Sequence, residues 1–100
     1  MNPEVWSAAT AVCAKEMSKD ERTVVKSLAG RLRATGLEAT LVWLENKTGG
    51  ERFKAALEVE SGLRGRQVKS LSIPEQFRAM ERATLFCEAL HMLARAGGER

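Results

Sequence analysis

The sequence contains few side chains of the types that carry out acid–base, nucleophilic or metal chemistry. It has one histidine, His91, and one aspartate, Asp20. A Ser-His-Asp or Cys-His relay would have to use His91, which falls inside a helical pattern and which we interpret as a packed or half-exposed helical residue. The two cysteines, Cys13 and Cys87, are far apart and form no Cys-x-x-Cys or His/Cys ligand spacing. We expect no structural zinc, and two small core side chains in a reducing cytosol.

The remaining acidic residues are glutamates, and most of them have a basic residue three or four positions away. This spacing is typical of ion pairs on a helix face and does not bring two carboxylates together for catalysis. We therefore expect a protein that is not an enzyme, that uses no cofactor or metal, and whose function lies in its surfaces.

Signals for helix starts predict five helices. A Ser or Thr followed three residues later by Glu is a candidate capping box, in which hydroxyl and carboxylate each accept a hydrogen bond from a backbone N–H. Four such pairs precede apolar periodic segments: Ser18–Glu21, Thr35–Glu38, Thr48–Glu51 and Ser72–Glu75. A fifth start is Asn2-Pro3-Glu4, with a capping residue, a proline at the first helical position and an acid at the positive helix end.

Apolar residues recur at helical spacing after each signal, and no segment alternates long enough to predict a strand. The last helix is the longest, and its core-type residues form two adjacent stripes: Phe77, Met80, Thr84, Cys87, His91 and Ala94, and then Ala83, Phe86, Leu90 and Leu93. So wide a stripe indicates a helix buried on more than one side. We predict an all-α fold, a single compact bundle of about five helices that spans residues 1–100 as one domain, with the long C-terminal helix at its centre. The longest loop is expected at Gly62–Ser72.

Length and composition agree with this prediction. The chain has 100 residues, of which 44% are hydrophobic and 29% charged, a balance that is typical of a folded globular domain. A chain of this length buries one core and leaves no room for a deep substrate cleft as well. No apolar run approaches the ~20 residues that a membrane span requires, and the N-terminus lacks a basic region followed by an apolar one. We expect a cytoplasmic protein without a membrane partner.

The net charge of +3 is modest, but the cations are clustered. Four of them share one face of the second predicted helix, at positions i, i+3, i+7 and i+14: Lys19, Arg22, Lys26 and Arg33. Lys15 would extend this face. A second group lies in the long loop, which has no acid: Arg64, Arg66 and Lys69.

Two interpretations of these basic groups stay open: a solvated, solubilising face, or a binding track for a phosphate backbone with the loop as a second contact. We expect few exposed aromatic residues for stacking on bases, so such a contact would be made to the backbone and would tolerate any sequence.

The third predicted helix is apolar around much of its circumference. We predict that Trp43 and Val42 on this helix belong to a partner interface, because an exposed tryptophan with aliphatic neighbours on a small protein often marks a docking patch. The alternative is that a compact bundle covers both side chains.

The stretch from Leu28 to Leu44, followed by Glu-Asn-Lys, resembles the small-subunit family of type III CRISPR–Cas effector complexes, the Cmr kind (III-B) in particular. That family carries a helix ending in an aliphatic–basic pair, then a turn of the Asn-Gly-Leu kind, then a helix with an aromatic–Leu pair. The corresponding segments here are Leu32-Arg33, Thr35-Gly36-Leu37 and Trp43-Leu44. The final helix, which starts with Phe77-Arg78, looks like the family's C-terminal helix.

The resemblance implies a non-catalytic helical building block used in antiviral defence. Several copies would stack on one another along an RNA-guided complex, beside its other subunits, and line the groove that holds target RNA paired to the guide. Guide pairing would supply sequence specificity, and the small subunit would supply positive charge and shape. The seven basic residues of the two groups would then contact the backbone of guide or target RNA.

A small helical adaptor or a helix-turn-helix transcription regulator without an RNA role is the alternative. A regulator is expected to expose Arg, Asn, Gln or Ser at the start of its recognition helix. The amide side chains of this chain do not cluster on one helix face: Asn2, Asn46, Gln67 and Gln76.

Overall fold

The computed structural model describes residues 3–14, 16–63 and 65–98, with the backbone alone for the last three of these. Five α-helices follow one another: α1 (Pro3–Cys13), α2 (Lys19–Thr35), α3 (Leu37–Asn46), α4 (Glu51–Glu60) and α5 (Ile73–Gly98). A 3₁₀ turn, Val68–Ser70, lies in the loop between α4 and α5. No strand occurs within these ranges, so the predicted all-α bundle is confirmed.

Helix α5 lies at the centre, as its wide apolar surface predicts. It contacts each of the other four α-helices and contributes Phe86 and Leu90 to the core, both with no exposed surface. The other helices bring large side chains that are also fully buried: Val24, Val25, Leu28 and Leu32 from α2, Leu44 from α3, and Phe53 and Leu57 from α4. The Cα radius of gyration is 12.7 Å, about what a compact chain of this length has.

Two of the four predicted capping boxes are present, and they begin the two longest helices. The Ser18 hydroxyl accepts from the Glu21 N–H at 3.1 Å, while the Glu21 carboxylate accepts from the Ser18 N–H at 2.9 Å. The same reciprocal pair forms between Ser72 and Glu75, at 3.3 and 3.0 Å. Each box satisfies two backbone donors that the helix itself leaves free.

The other two predicted boxes are wrong, because glycines cap those helices. Thr35 remains in the last turn of α2, where its hydroxyl donates to the Arg31 carbonyl at 2.8 Å. Gly36, with φ of 88°, ends α2 and begins α3 in a single residue, a backbone conformation that costs glycine little. Thr48 likewise caps nothing, since Gly50 is the residue that precedes α4. The fifth predicted start is partly tested: α1 begins at Pro3, and Asn2 lies outside the described residues.

The prediction that Phe77 belongs to a buried stripe of α5 is also wrong. Its side chain is 73% exposed, whereas Ala79 is buried together with Leu71 of the preceding loop. Two residues correspond to about 200° around an α-helix, so a helix that packs Ala79 inward turns Phe77 outward. The beginning of α5 is therefore buried on one side, and its later turns on several.

The link between α3 and α4 depends on a close backbone approach at Gly50. A Cβ atom at this position would meet the Leu44 carbonyl oxygen and would lie 3.0 Å from both the carbonyl carbon and the Cα of Leu44. Backbone atoms cannot rotate away as a side chain can, so any larger residue must displace α4 from α3.

We expect Gly50→Ala to lower the free energy of unfolding by about 1–3 kcal/mol through this overpacking. Gly30→Ala is the matched control, because Gly30 lies within α2 with no atom within 4 Å of its Cβ position, and alanine there should stabilise the helix by up to about 1 kcal/mol. Urea unfolding followed by circular dichroism measures both. Equal effects of the two substitutions would contradict the close approach at Gly50.

Candidate nucleic-acid interface

The exposed side of α2 carries three cations that are available to a ligand. Lys19, Arg22 and Lys26 are all exposed, while the apolar side of the same helix faces the core. Within residues 3–14, 16–63 and 65–98, none of the three takes part in an ion pair. Their positive charge is thus presented to solvent without a neutralising carboxylate.

The first turn of α2 contains two acids. Asp20 is exposed and forms no ion pair with the cations in the described part of the chain, whereas Glu21 is engaged by other partners. Its carboxylate accepts from the Ser18 backbone and lies 3.0 Å from Nε of Arg52 on α4. The two charged side chains are only 17% and 24% exposed, and Arg52 also donates to the Glu16 carbonyl. This half-buried pair joins the start of α2 to α4.

The fourth cation of the predicted face differs from the other three. Nη1 of Arg33 lies 3.3 Å from Oε1 of Glu88 on α5, with both side chains well exposed. Glu88 is 55 residues away in the chain, so its approach could not be read from the local charge pattern. Arg33 therefore carries a compensated charge, unlike the other three cations of the predicted face.

In the second predicted basic group, in the loop after α4, one cation is ion-paired and another is not. Nη2 of Arg66 lies 3.2 Å from Oε2 of Glu75, the residue that also caps α5. Lys69, on the 3₁₀ turn, is exposed and has no ion pair in the part of the chain that the structure describes. Arg64 lies outside the described residues, as does Lys15. The absence of acids from the loop therefore does not leave all of its cations unpaired, because Glu75, at the start of α5, pairs with Arg66.

The capping carboxylate is held in its charged form by several hydrogen bonds. The Ser72 backbone N–H contributes most, followed by the Ser72 side chain and then Arg66, and together they lower the pKa of Glu75. The salt bridge and the cap therefore persist to more acidic pH than an isolated glutamate would allow. They tie the loop to the first turn of α5.

Of the two residues predicted to form a partner patch on α3, Val42 is exposed and Trp43 is half-buried. Val42 is 55% exposed. Trp43 is half-buried, and the guanidinium carbon of Arg31 on α2 lies 4.2 Å from the centroid of its ring. Such a distance is typical of a cation–π contact, which uses Arg31 to cover the indole.

Three exposed side chains at the start of α5 were not predicted as functional: Phe77, Arg78 and Arg82. The two arginines are four residues apart and so share a helix face, a signal that the sequence does contain. Together with Arg66 they line a cleft of about 220 Å³ between α5 and the loop after α4. The exposure of Phe77 had no such signal, because its spacing fits the apolar stripe.

The two thiols have raised pKa values, which disfavours the thiolate form that acts as a nucleophile. Burial, assisted by the neighbouring Glu88 carboxylate, raises the pKa of Cys87 to about 12. Burial also raises the pKa of Cys13, against a smaller opposing effect of Arg52. Among the described residues, no three His, Cys, Asp or Glu side chains are placed so that they could hold a metal ion.

No described helix combines the length and the apolar character needed to cross a membrane. No protein-family model, no curated protein and no solved structure matches the chain. Its function must be argued from the surface that the fold presents.

The cation–π contact makes Arg31 a structural residue, and this can be tested by fluorescence. In a Trp6→Phe background, where Trp43 is the remaining tryptophan, Arg31→Ala should shift the emission maximum to the red and lower the free energy of unfolding by about 0.5–1 kcal/mol. Arg22→Ala removes the same charge from α2 without touching the indole and should leave the emission unchanged. An unshifted spectrum for Arg31→Ala would show that the ring is not covered by this side chain.

Proposed function

We propose that the protein binds the phosphate backbone of nucleic acid through the exposed side of α2 and acts as a non-catalytic subunit of a larger complex. The observation that carries this proposal is the row formed by Lys19, Arg22 and Lys26, which are exposed and have no ion pair within the described ranges. Lysine and arginine on a convex helix surface can contact successive phosphates, and such contacts carry no base specificity.

The number of free cations sets the expected strength of this interaction. Each single-stranded phosphate that is neutralised adds about 0.7 to the slope of log affinity against log salt concentration. Three contacts give a slope of about 2, so affinity should fall about 20-fold between roughly 50 and 200 mM salt. Arg33 adds less than a free cation would, because Glu88 both neutralises it and repels phosphate.

The finer proposal is that this complex is a type III CRISPR–Cas effector and that the chain is its small subunit. It is supported by the resemblance of Leu28–Leu44 to that family, by the helical fold, and by the basic side of α2. Contacts between stacked copies or with other subunits would use exposed apolar side chains. Val42 is one of these, and Trp43 borders it. Binding by one subunit is expected to be weak, because avidity arises when several copies contact one strand.

A helix-turn-helix regulator is less well supported by the charges at the helix starts. Every α-helix carries an acid in its first turn, including Glu38 in α3 and Glu51 in α4. An acid in this position repels the phosphates that flank a DNA groove. The single-residue link between α2 and α3 is too short for that motif, whereas the four-residue link between α3 and α4 has the required length, so it is the acids that disfavour a regulator. A protein–protein adaptor remains the alternative, and the following experiment separates it from the proposal.

We expect Arg22→Glu with Lys26→Glu to reduce binding of a labelled single-stranded RNA and to lower the salt slope by at least about 1.4, since two of three phosphate contacts are lost. Fluorescence anisotropy at several salt concentrations measures both quantities. Lys47→Glu with Lys54→Glu is the matched control, because it changes the net charge equally at the residue after α3 and on α4 and should leave the slope unchanged. Equal losses for both pairs, or none for either, would contradict a binding face on α2.

The finer proposal predicts what accompanies the protein in its own cells. When it is expressed from its own gene and purified at low salt, a small guide RNA and the other effector subunits should co-purify with it. RNA sequencing and mass spectrometry identify both. A protein that purifies with other partners and without RNA would favour the adaptor instead.

A further inference from the structure

The cleft between the start of α5 and the loop after α4 is lined by more positive than negative charge. Its volume is about 220 Å³, and three guanidinium groups border it: Arg66 from the loop, and Arg78 and Arg82 from α5. The acid in its lining is Glu75. This leaves an excess of two positive charges around a concave surface of the size that a phosphate group can enter.

The single carboxylate of this cleft is already fully engaged. One oxygen of Glu75 accepts from the Ser72 backbone N–H at 3.0 Å, and the other lies 3.2 Å from Nη2 of Arg66. Neither Arg78 nor Arg82 forms an ion pair within residues 65–98 or with the rest of the described chain. The charges of these two arginines are therefore available to an anion from outside.

The backbone around the cleft brings Arg82 close to the loop. Gly62 has φ of 82°, and a guanidinium nitrogen of Arg82 lies 3.1 Å from the position that a Cβ of residue 62 would occupy. Because glycine has no side chain there, Arg82 can lie directly against the loop. The salt bridge from Arg66 to Glu75 holds the same loop from its other end. The loop thus contacts α5 at two points of the cleft, through Gly62 and Arg82 and through Arg66 and Glu75.

The three guanidinium groups fit a phosphate group better than other anions of similar size. Each guanidinium presents N–H donors in a planar fork that matches the oxygens of a phosphate. Phe77, although exposed, lies about 200° around α5 from Glu75 and Ala79 and takes no part in the lining.

We propose that this cleft is a second nucleic-acid contact, in which Arg66, Arg78 and Arg82 hold a backbone phosphate. The inference rests on the proposed function in taking nucleic acid as the ligand, but it uses residues of α5 that are separate from the α2 face. It adds two cations that were not predicted from the sequence to be functional, Arg78 and Arg82, to those of the α2 face.

The test uses the full chain and a labelled twelve-nucleotide oligouridylate, with a duplex of the same length as the second probe. Arg78→Ala with Arg82→Ala should reduce affinity for the single strand and lower its salt slope by about 1.4, the value for two lost phosphate contacts. Lys47→Ala with Lys54→Ala removes the same charge elsewhere and should leave the slope unchanged.

Circular dichroism checks that each variant is folded. This is expected, since Arg78, Arg82 and Lys47 are exposed and the ion pair of Lys54 with Glu58 is itself partly exposed.

The outcomes separate this inference from the proposed function. If Arg22→Glu with Lys26→Glu weakens binding while the α5 variants bind as the unmodified protein does, the cleft is overturned and the α2 face stands. If the α5 variants alone lose affinity, the cleft stands and the α2 face is overturned. No binding of either probe at about 50 mM salt overturns both proposals.

Discussion

The burial of α5 among four shorter helices is the constraint on which the surface of this molecule depends. Since each of those helices contacts α5, each must present one apolar face to it and leaves its opposite side to water. Helix α2 illustrates this, because its fully buried Leu28 and Leu32 place Lys19, Arg22 and Lys26 outside. A core of this kind in a chain of 100 residues offers convex surfaces and shallow clefts, and these suit long, flexible polyanions better than small substrates.

Helix caps connect this architecture to the electrostatics of the candidate interface. Glu21 and Glu75 each complete a capping box, and each also binds an arginine from another segment, Arg52 and Arg66. A carboxylate with two such partners is held in place and cannot turn toward neighbouring cations. These two capping acids are thereby directed into the structure, whereas Asp20 beside Lys19 and Glu81 beside Arg82 are exposed.

Helix number, order and the central position of α5 could be predicted from the sequence, because they follow from apolar periodicity and from glycine and serine signals that act within one or two turns. Local sequence could not exclude caps at Thr35 and Thr48. The glycines at positions 36 and 50 precede those helices instead, because of backbone conformation and packing that involve other helices.

The candidate interface was predictable in part. Spacing places three cations together on α2, but the partners of Arg33 and Arg66 are supplied by α5 and its cap. Phe77 shows the same limit, because the direction in which a helix packs decides which of its apolar residues remains in water.

Two ion pairs of the described chain, one buried and one exposed, differ in what they imply for ligand binding. Arg52 and Glu21 lie 3.0 Å apart and are mostly buried, so removing one partner would leave a charge that water reaches poorly. Arg33 and Glu88 lie 3.3 Å apart and are 61% and 41% exposed, and pairs of this kind contribute at most about 1 kcal/mol because solvent and salt screen them. A phosphate that approaches α2 can therefore displace Glu88 from Arg33 at small cost, although the displaced carboxylate stays close enough to repel it. Arg33 thus lies at the margin of the basic face, where pairing weakens a contact without abolishing it, and the unpaired residues Lys19, Arg22 and Lys26 form its centre.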